Sequence, residues 1–126
     1  MKKIIIAIDG PAASGKTTTA KIVAETLGYL FLDTGAMYRA IALAALREGI
    51  ESDEAKIETL IKNIKIDVKP SGTGQLTFLN GEDISLAIRE PEVTKWSSPI
   101  SAYRAVREAM VDLQRQIGKD GGIIVD

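Results

Sequence analysis

The 126-residue sequence contains no histidine and no cysteine. Without cysteine, this stretch of chain has no disulfide and no thiolate nucleophile, and without histidine it has no imidazole base. A metal held by its side chains must therefore bind to oxygen ligands, which excludes zinc sites built from cysteine and histidine. The sequence also lacks an apolar run of the roughly 18 residues that a membrane span requires.

An excess of charge of either sign is also missing. Sixteen Lys and Arg residues oppose 17 Asp and Glu residues, which gives a net charge of -1 and argues against a broad nucleic-acid-binding face. Asp9 interrupts the first apolar run before it reaches the roughly 7 to 15 residues of a signal-peptide core. We therefore predict a cytoplasmic protein without nucleic-acid or membrane partners, in which any anion site is local.

Strand and helix patterns alternate over the first 50 residues. Residues 3–8 predict a parallel strand buried on both faces, and a helical pattern then runs from Lys16 to Leu27. A second short strand at 29–32 leads to a second helix, with Thr34 as a candidate cap and Gly49 as its stop. This β-α-β-α order predicts an α/β fold with a parallel sheet.

The pattern changes in the middle of the chain. Ser52-Asp53 opens a predicted helix, and alternating residues from 64 to 84, with an Asn80-Gly81 turn, predict a small antiparallel meander. Ser98-Pro99 resembles the start of a long helix that ends at Gly118. Residues 122–126 then predict a third buried parallel strand with an acid at its end.

Residues 10–17 match the phosphate-binding pattern G-x-x-x-x-G-K-[ST] between a predicted strand and a predicted helix. Backbone N–H groups of such a loop, with the positive end of the helix, solvate a triphosphate. Lys16 would reach the β and γ oxygens, and the Thr17 hydroxyl would ligate Mg²⁺. Asp126, at the end of an apolar strand, is the expected carboxylate partner of that metal.

The segment Asp33–Arg39 predicts a second, smaller phosphate-facing turn. Its glycine, hydroxyl groups and arginine follow the end of a predicted strand, and a guanidinium fork suits phosphate oxygens. Two anion sites on one sheet edge indicate transfer of a group between two ligands.

Together with Val106-Arg107-Glu108-Ala109 and Ile124-Val125-Asp126, these two motifs resemble bacterial cytidylate kinases. These enzymes are the CMP and dCMP kinases of the nucleoside monophosphate kinase class of P-loop proteins. The resemblance implies a P-loop three-layer parallel sheet with flanking helices and a small antiparallel insert in the monophosphate-binding region. It also implies ATP-dependent phosphorylation of CMP and dCMP, with Mg²⁺ as the cofactor of ATP.

The resemblance assigns roles to particular residues. Lys16 and Arg39 would be catalytic, and Thr17 and Asp126 would hold the metal. The implied ATP-binding residues are Gly10, Pro11, Ala12, Ala13, Ser14, Gly15, Lys16, Thr17 and Thr18. The implied CMP-binding residues are Thr34, Tyr38, Arg39, Ser98 and Arg107.

The resemblance further implies one nucleotide kinase unit, with a P-loop core at 1–33 and 100–126 and a monophosphate-binding domain at 34–99. The family continues after its strand-end aspartate with Gly-Arg-Asp and an arginine-rich lid. We therefore expect the N-terminal part of a longer, monomeric enzyme that is inactive as a fragment. The alternatives are another small-molecule P-loop kinase, such as an adenylate or shikimate kinase, or a non-catalytic fragment that binds nucleotide phosphates.

Overall fold

The computed structural model describes residues 5–7, 22, 26–27, 30–71, 74–119, 121 and 123–125. The strands are β1 (Ile5–Ala7), β2 (Leu30–Leu32), β3 (Ile66–Ser71), β4 (Gly74–Leu79), β5 (Glu82–Asp83) and β6 (Ile123–Val125). The helices are α1 (Thr34–Glu48), α2 (Glu54–Ile61), α3 (Pro91–Ser101) and α4 (Arg104–Ile117), with a single 3-10 turn at Ala87–Arg89. Within this part of the chain, no helix has the length and apolar character needed to cross a membrane.

A parallel sheet joins both ends of the chain. Its strand order is β1-β6-β2, with β6 between the other two strands. Val125 of β6 is in register with Ala7 of β1 and with Leu32 of β2, so the three strands end at the same edge. The predicted parallel arrangement of these strands is confirmed, and ligands of open α/β sheets bind at this carboxyl edge.

A separate antiparallel sheet has the order β3-β4-β5. Asn80 and Gly81 connect β4 to β5 with φ angles of 51° and 84°, the positive values that a type I′ hairpin turn needs. The Asn80 side chain also accepts a hydrogen bond from the Lys65 backbone N–H at 2.8 Å. The predicted meander is therefore present, because its turn chemistry is local.

Helix α1 forms the centre of the hydrophobic core. Eight of its 15 residues are buried, and it packs against α3, α4 and the strand β4. Met37 and Ile41 are fully buried, and burying a side chain of this size contributes roughly 1.5–3 kcal/mol. One buried cluster links this helix to Leu32 of the parallel sheet and to Leu79 of the antiparallel sheet.

The predicted start of α2 and the predicted end of α1 are confirmed, but the predicted N-cap of α1 is not. Asp53 is the N-cap of α2, whose start the sequence pattern placed at Ser52-Asp53, and Gly49 ends α1 in the left-handed conformation with φ of 67°. The N-cap of α1 is Asp33, whose side chain accepts a hydrogen bond from the Ala36 N–H, and Thr34 is instead the first helical residue. Either residue type favours a cap, so the sequence alone did not distinguish these neighbours.

The prediction that Ser98-Pro99 opens a long helix is wrong. Helix α3 begins at Pro91, contains Pro99, and ends at Ser101, while α4 begins only after Tyr103. Val93 and Ile100 of α3 are buried, so core packing offsets the helical hydrogen bond that Pro99 cannot make. Helix α3 does have a proline at its first position, but this residue is Pro91.

Candidate active site

The candidate site begins where β2 ends at the carboxyl edge of the parallel sheet. Asp33 follows Leu32 directly and starts α1. The proposed ATP-binding residues 10–18, including Lys16 and Thr17, and the proposed metal ligand Asp126 lie outside the described residues. The observed part of the site is therefore the Asp33–Arg39 segment and its neighbours.

The Asp33 side chain holds the first turn of α1 and lies beside Arg39. Its Oδ1 atom accepts a hydrogen bond from the Ala36 N–H at 3.1 Å. Its Oδ2 atom is 4.0 Å from Nη2 of Arg39, which is a loose ion pair and too long for a hydrogen bond. The helix start thus brings a carboxylate and a guanidinium together without binding one tightly to the other.

Gly35 lies between these two charged groups. A Cβ atom at this position would lie 3.2 Å from Oδ1 of Asp33 and 3.5 Å from Nη1 of Arg39. The absence of a side chain at Gly35 therefore leaves room for both groups at the helix start.

The Arg39 guanidinium has unused hydrogen-bonding capacity. Its Nε atom is buried, and among the described residues it has no hydrogen-bond partner. The side chain as a whole keeps 29% of its surface exposed. A cation with an unused donor among the described residues, one turn from the positive end of a helix, suits an anion such as a phosphate.

Thr34 and Tyr38 share the first turns of α1 with Arg39. Thr34 is half-buried, and Tyr38 is half-buried and packs against the hydrophobic core cluster. Three of the five residues that the sequence predicts to bind CMP therefore lie in the first turns of one helix.

Ser98 and Arg107 lie on other helices. Ser98 is an exposed residue of α3, and its backbone carbonyl accepts a hydrogen bond from the Ser101 hydroxyl at 2.8 Å. Arg107 is an exposed residue of α4 that lines a surface cavity of about 530 Å³. Within the described ranges, neither side chain is joined to Arg39 by a hydrogen bond or an ion pair, although α1 contacts both helices.

The sequence patterns missed Gln75, which connects the antiparallel sheet to this helix start. The Asp33 backbone N–H donates to Oε1 of Gln75 at 2.9 Å. The Gln75 Nε2 group donates to the Asp33 carbonyl at 3.4 Å and to the Thr77 hydroxyl at 3.2 Å. The contact spans 42 positions in sequence, so no local pattern predicted it.

These features define a class of protein. The chain has a parallel sheet, a separate small antiparallel sheet, and a capped helix that carries an arginine and begins at the carboxyl edge of the parallel sheet. It is therefore a mixed α/β chain with a candidate anion site.

Comparison with known proteins then identifies the family. A family model described as cytidylate kinase matches residues 6–126. Proteins named cytidylate kinase from Bacillus thuringiensis (strain Al Hakam), Bacillus cereus (strain AH187) and Bacillus anthracis (strain A0248) are each 48% identical to this chain over 126 residues. The alignments cover 99% of this chain and 56% of each relative's length. The chain belongs to the cytidylate kinase family, and it spans about half the length of the curated relatives it matches.

Proposed function

We propose that the protein containing this chain transfers the γ-phosphoryl group of ATP to CMP or dCMP, giving ADP and CDP or dCDP. Membership of the cytidylate kinase family supports this reaction. The structural observation that carries the proposal is the Arg39 guanidinium near the start of α1, whose buried Nε has no hydrogen-bond partner among the residues that the structure describes. It is suited to hold the phosphate of the acceptor nucleotide.

The proposed ATP site is the loop of residues 10–18, which follows β1. Because β1 ends in register with β6 and β2, the chain leaves β1 at the same sheet edge as Asp33. The backbone N–H groups of the loop would bind the phosphates, and Lys16 would offset charge on the transferred group. The complete three-layer P-loop arrangement is part of this proposal.

The proposed Mg²⁺ ligands are Thr17 and Asp126. Hydroxyl and carboxylate oxygens are the hard donors that Mg²⁺ prefers, so the chemistry of this pair fits the ion. Bound Mg²⁺ would neutralise charge on the β and γ phosphoryl oxygens.

The proposed acceptor site is formed by Thr34, Tyr38 and Arg39 on α1, with Ser98 and Arg107 contacting the cytosine. An oxygen of the acceptor phosphate attacks the γ phosphorus while the bond to the β–γ bridging oxygen breaks, and ADP leaves. A phosphate monoester is already ionised near pH 7, because its second pKa is about 6, so no side-chain base is needed. Positioning by Arg39 and charge neutralisation by Lys16 then account for the chemistry expected of this chain.

We also propose a domain organisation for this chain. Residues 1–33 and 100–126 would form the P-loop core and residues 34–99 the monophosphate-binding domain of one monomeric kinase unit. A cytoplasmic location accompanies this role, because its substrates ATP and CMP are cytoplasmic metabolites.

A panel of acceptors tests the proposed reaction. The complete gene product that contains this chain is incubated with ATP and with CMP, dCMP, AMP or shikimate, and ADP and the phosphorylated acceptor are measured. We expect CMP and dCMP to be phosphorylated much faster than the other acceptors. Preference for AMP or shikimate, or ADP formation that does not depend on an acceptor, would reject the proposal.

A further inference from the structure

The antiparallel sheet is fixed to the start of α1 by one side-chain amide. Gln75, at the beginning of β4, binds both backbone polar groups of Asp33 through its Oε1 and Nε2 atoms, at 2.9 Å and 3.4 Å. The same amide is oriented by the Thr77 hydroxyl at 3.2 Å, and Thr77 is itself almost fully buried. The orientation of the amide is therefore fixed by a residue of its own strand.

The peptide groups of Asp33 determine where the charged groups of the site lie. Asp33 is the N-cap, so its backbone conformation sets the direction in which α1 leaves β2. Its carboxylate holds the Ala36 N–H at 3.1 Å and lies 4.0 Å from the Arg39 guanidinium. A rotation of the Asp33 peptide groups would therefore move the carboxylate, the helix start and Arg39 together.

We propose that Gln75 is a positioning residue for the acceptor phosphate, and that it couples the antiparallel sheet to the Asp33–Arg39 segment. This inference rests on the proposed function. Without the amide, the half-buried N–H and carbonyl of Asp33 lose their partners, and the β2–α1 junction gains conformational freedom. The residue acts through Asp33, so its loss affects the acceptor and leaves the ATP site on the β1 side unchanged.

Two substitutions remove the amide in different ways. Gln75→Met keeps the length and packing of the side chain without its polar atoms, and Gln75→Ala leaves space in which water can replace the amide. Ser85→Ala is the matched control, because the Ser85 hydroxyl, just after β5, accepts a hydrogen bond from the Thr77 N–H at 3.0 Å and is not hydrogen-bonded to Asp33. All variants are made in the complete gene product, and folding is checked by thermal unfolding.

The decisive measurement is the Michaelis constant for each substrate. We expect either Gln75 variant to raise KM for CMP about tenfold, as loss of a half-buried hydrogen bond allows, with KM for ATP unchanged. A purely structural role would lower kcat through a loss of folded enzyme and would leave KM for CMP unchanged. Ser85→Ala is expected to change neither constant.

Four results separate the possible failures. A folded Gln75 variant with wild-type KM for CMP would overturn the inference, as would an equal rise in Ser85→Ala. A rise in KM for ATP of the same size would also overturn it, because the effect would not be confined to the acceptor. Failure of the wild-type protein to phosphorylate CMP would instead reject the proposed function itself.

Discussion

At the scale of single residues, the important feature of the candidate site is that the Asp33 carboxylate and the Arg39 guanidinium form only a loose ion pair. Asp33 uses one carboxylate oxygen to cap α1, and the other oxygen stays 4.0 Å from Arg39. A hydrogen-bonded pair would occupy donors of the guanidinium that a phosphate needs. Gly35 keeps the space between these groups open, so its substitution tests the geometry without removing a functional group.

Gly35→Ala is expected to weaken acceptor binding without unfolding the protein. The new Cβ atom would lie 3.2 Å from Oδ1 of Asp33, which is already fixed by the Ala36 N–H. The higher helix propensity of alanine, up to about 1 kcal/mol, opposes this crowding in the free energy of unfolding. We expect KM for CMP to rise about three- to tenfold, or roughly 0.6–1.4 kcal/mol, with little change in melting temperature.

The control for this variant is Glu48→Ala, at the exposed far end of the same helix. It changes helix propensity without affecting the site, and steady-state kinetics should give the wild-type KM. An unchanged KM for CMP in Gly35→Ala would show that the carboxylate and guanidinium positions at the helix start do not determine acceptor binding.

At the scale of elements, α1 is attached to the antiparallel sheet at both ends. Gln75 contacts its N-terminal junction, and Arg47 in its last turn donates two hydrogen bonds to Glu82 of β5, each at 2.8 Å. The hydrogen bond from Arg47 lowers the pKa of the Glu82 carboxyl below its ordinary value of 4.5. The C-terminal attachment is therefore electrostatic and pH-dependent, whereas the N-terminal one is a neutral amide.

The Arg47–Glu82 pair makes a testable contribution to stability. Because the pKa of Glu82 is lower in the folded protein, the pair stabilises the fold above the unfolded pKa and loses this effect as pH falls through the folded pKa. We expect Glu82→Gln to melt at a lower temperature than wild type at pH about 7, with the difference shrinking as the pH falls through the lowered pKa of Glu82. Both side chains are substantially exposed, so the difference should be small and should shrink in high salt.

Thermal unfolding across this pH range checks the prediction, with Glu58→Gln as the control for removal of an exposed glutamate from α2. A melting-temperature difference that persists in acid would show that Glu82 stabilises the protein through packing and not through its charge.

Prediction from sequence succeeded where the determining contacts are local. The Asn80-Gly81 hairpin follows from the backbone conformations of two neighbouring residues, and the Asp53 cap follows from one side chain and the next turn. Pro99 was misplaced because burial of Val93 and Ile100 allows a proline inside α3, and burial is a tertiary property. Gln75 was missed because its partner Asp33 lies 42 residues away.

At the scale of the whole molecule, the two proposed phosphate sites follow different strands of the parallel sheet. Residues 10–18 follow β1 and Asp33 follows β2, while β6 lies between these strands and pairs with both. The Asp33–Arg39 segment is also hydrogen-bonded to the antiparallel sheet through Gln75. If each proposed site follows its own strand, substitutions should affect the two sites separately.

Lys16→Ala and Arg39→Ala are expected to weaken the binding of different nucleotides. Lys16→Ala should lower kcat by about 100-fold or more and weaken ATP binding, because a charge on the transferred group is no longer offset, while CMP binding persists. Arg39→Ala should weaken CMP binding by about 10- to 100-fold through loss of charge-assisted hydrogen bonds, while ATP binding persists. Arg39→Lys keeps the charge but not the planar fork, so it should recover only part of that affinity.

Calorimetry of the complete gene product with each nucleotide alone measures these affinities without requiring turnover. Within the described part of the chain the Arg39 side chain makes no hydrogen bond and only a loose ion pair with Asp33, so its removal should leave the melting temperature close to that of wild type. If one substitution weakens both nucleotides equally in a folded variant, the sites share their supports, and the assignment of one phosphate site to each outer strand of the sheet is wrong.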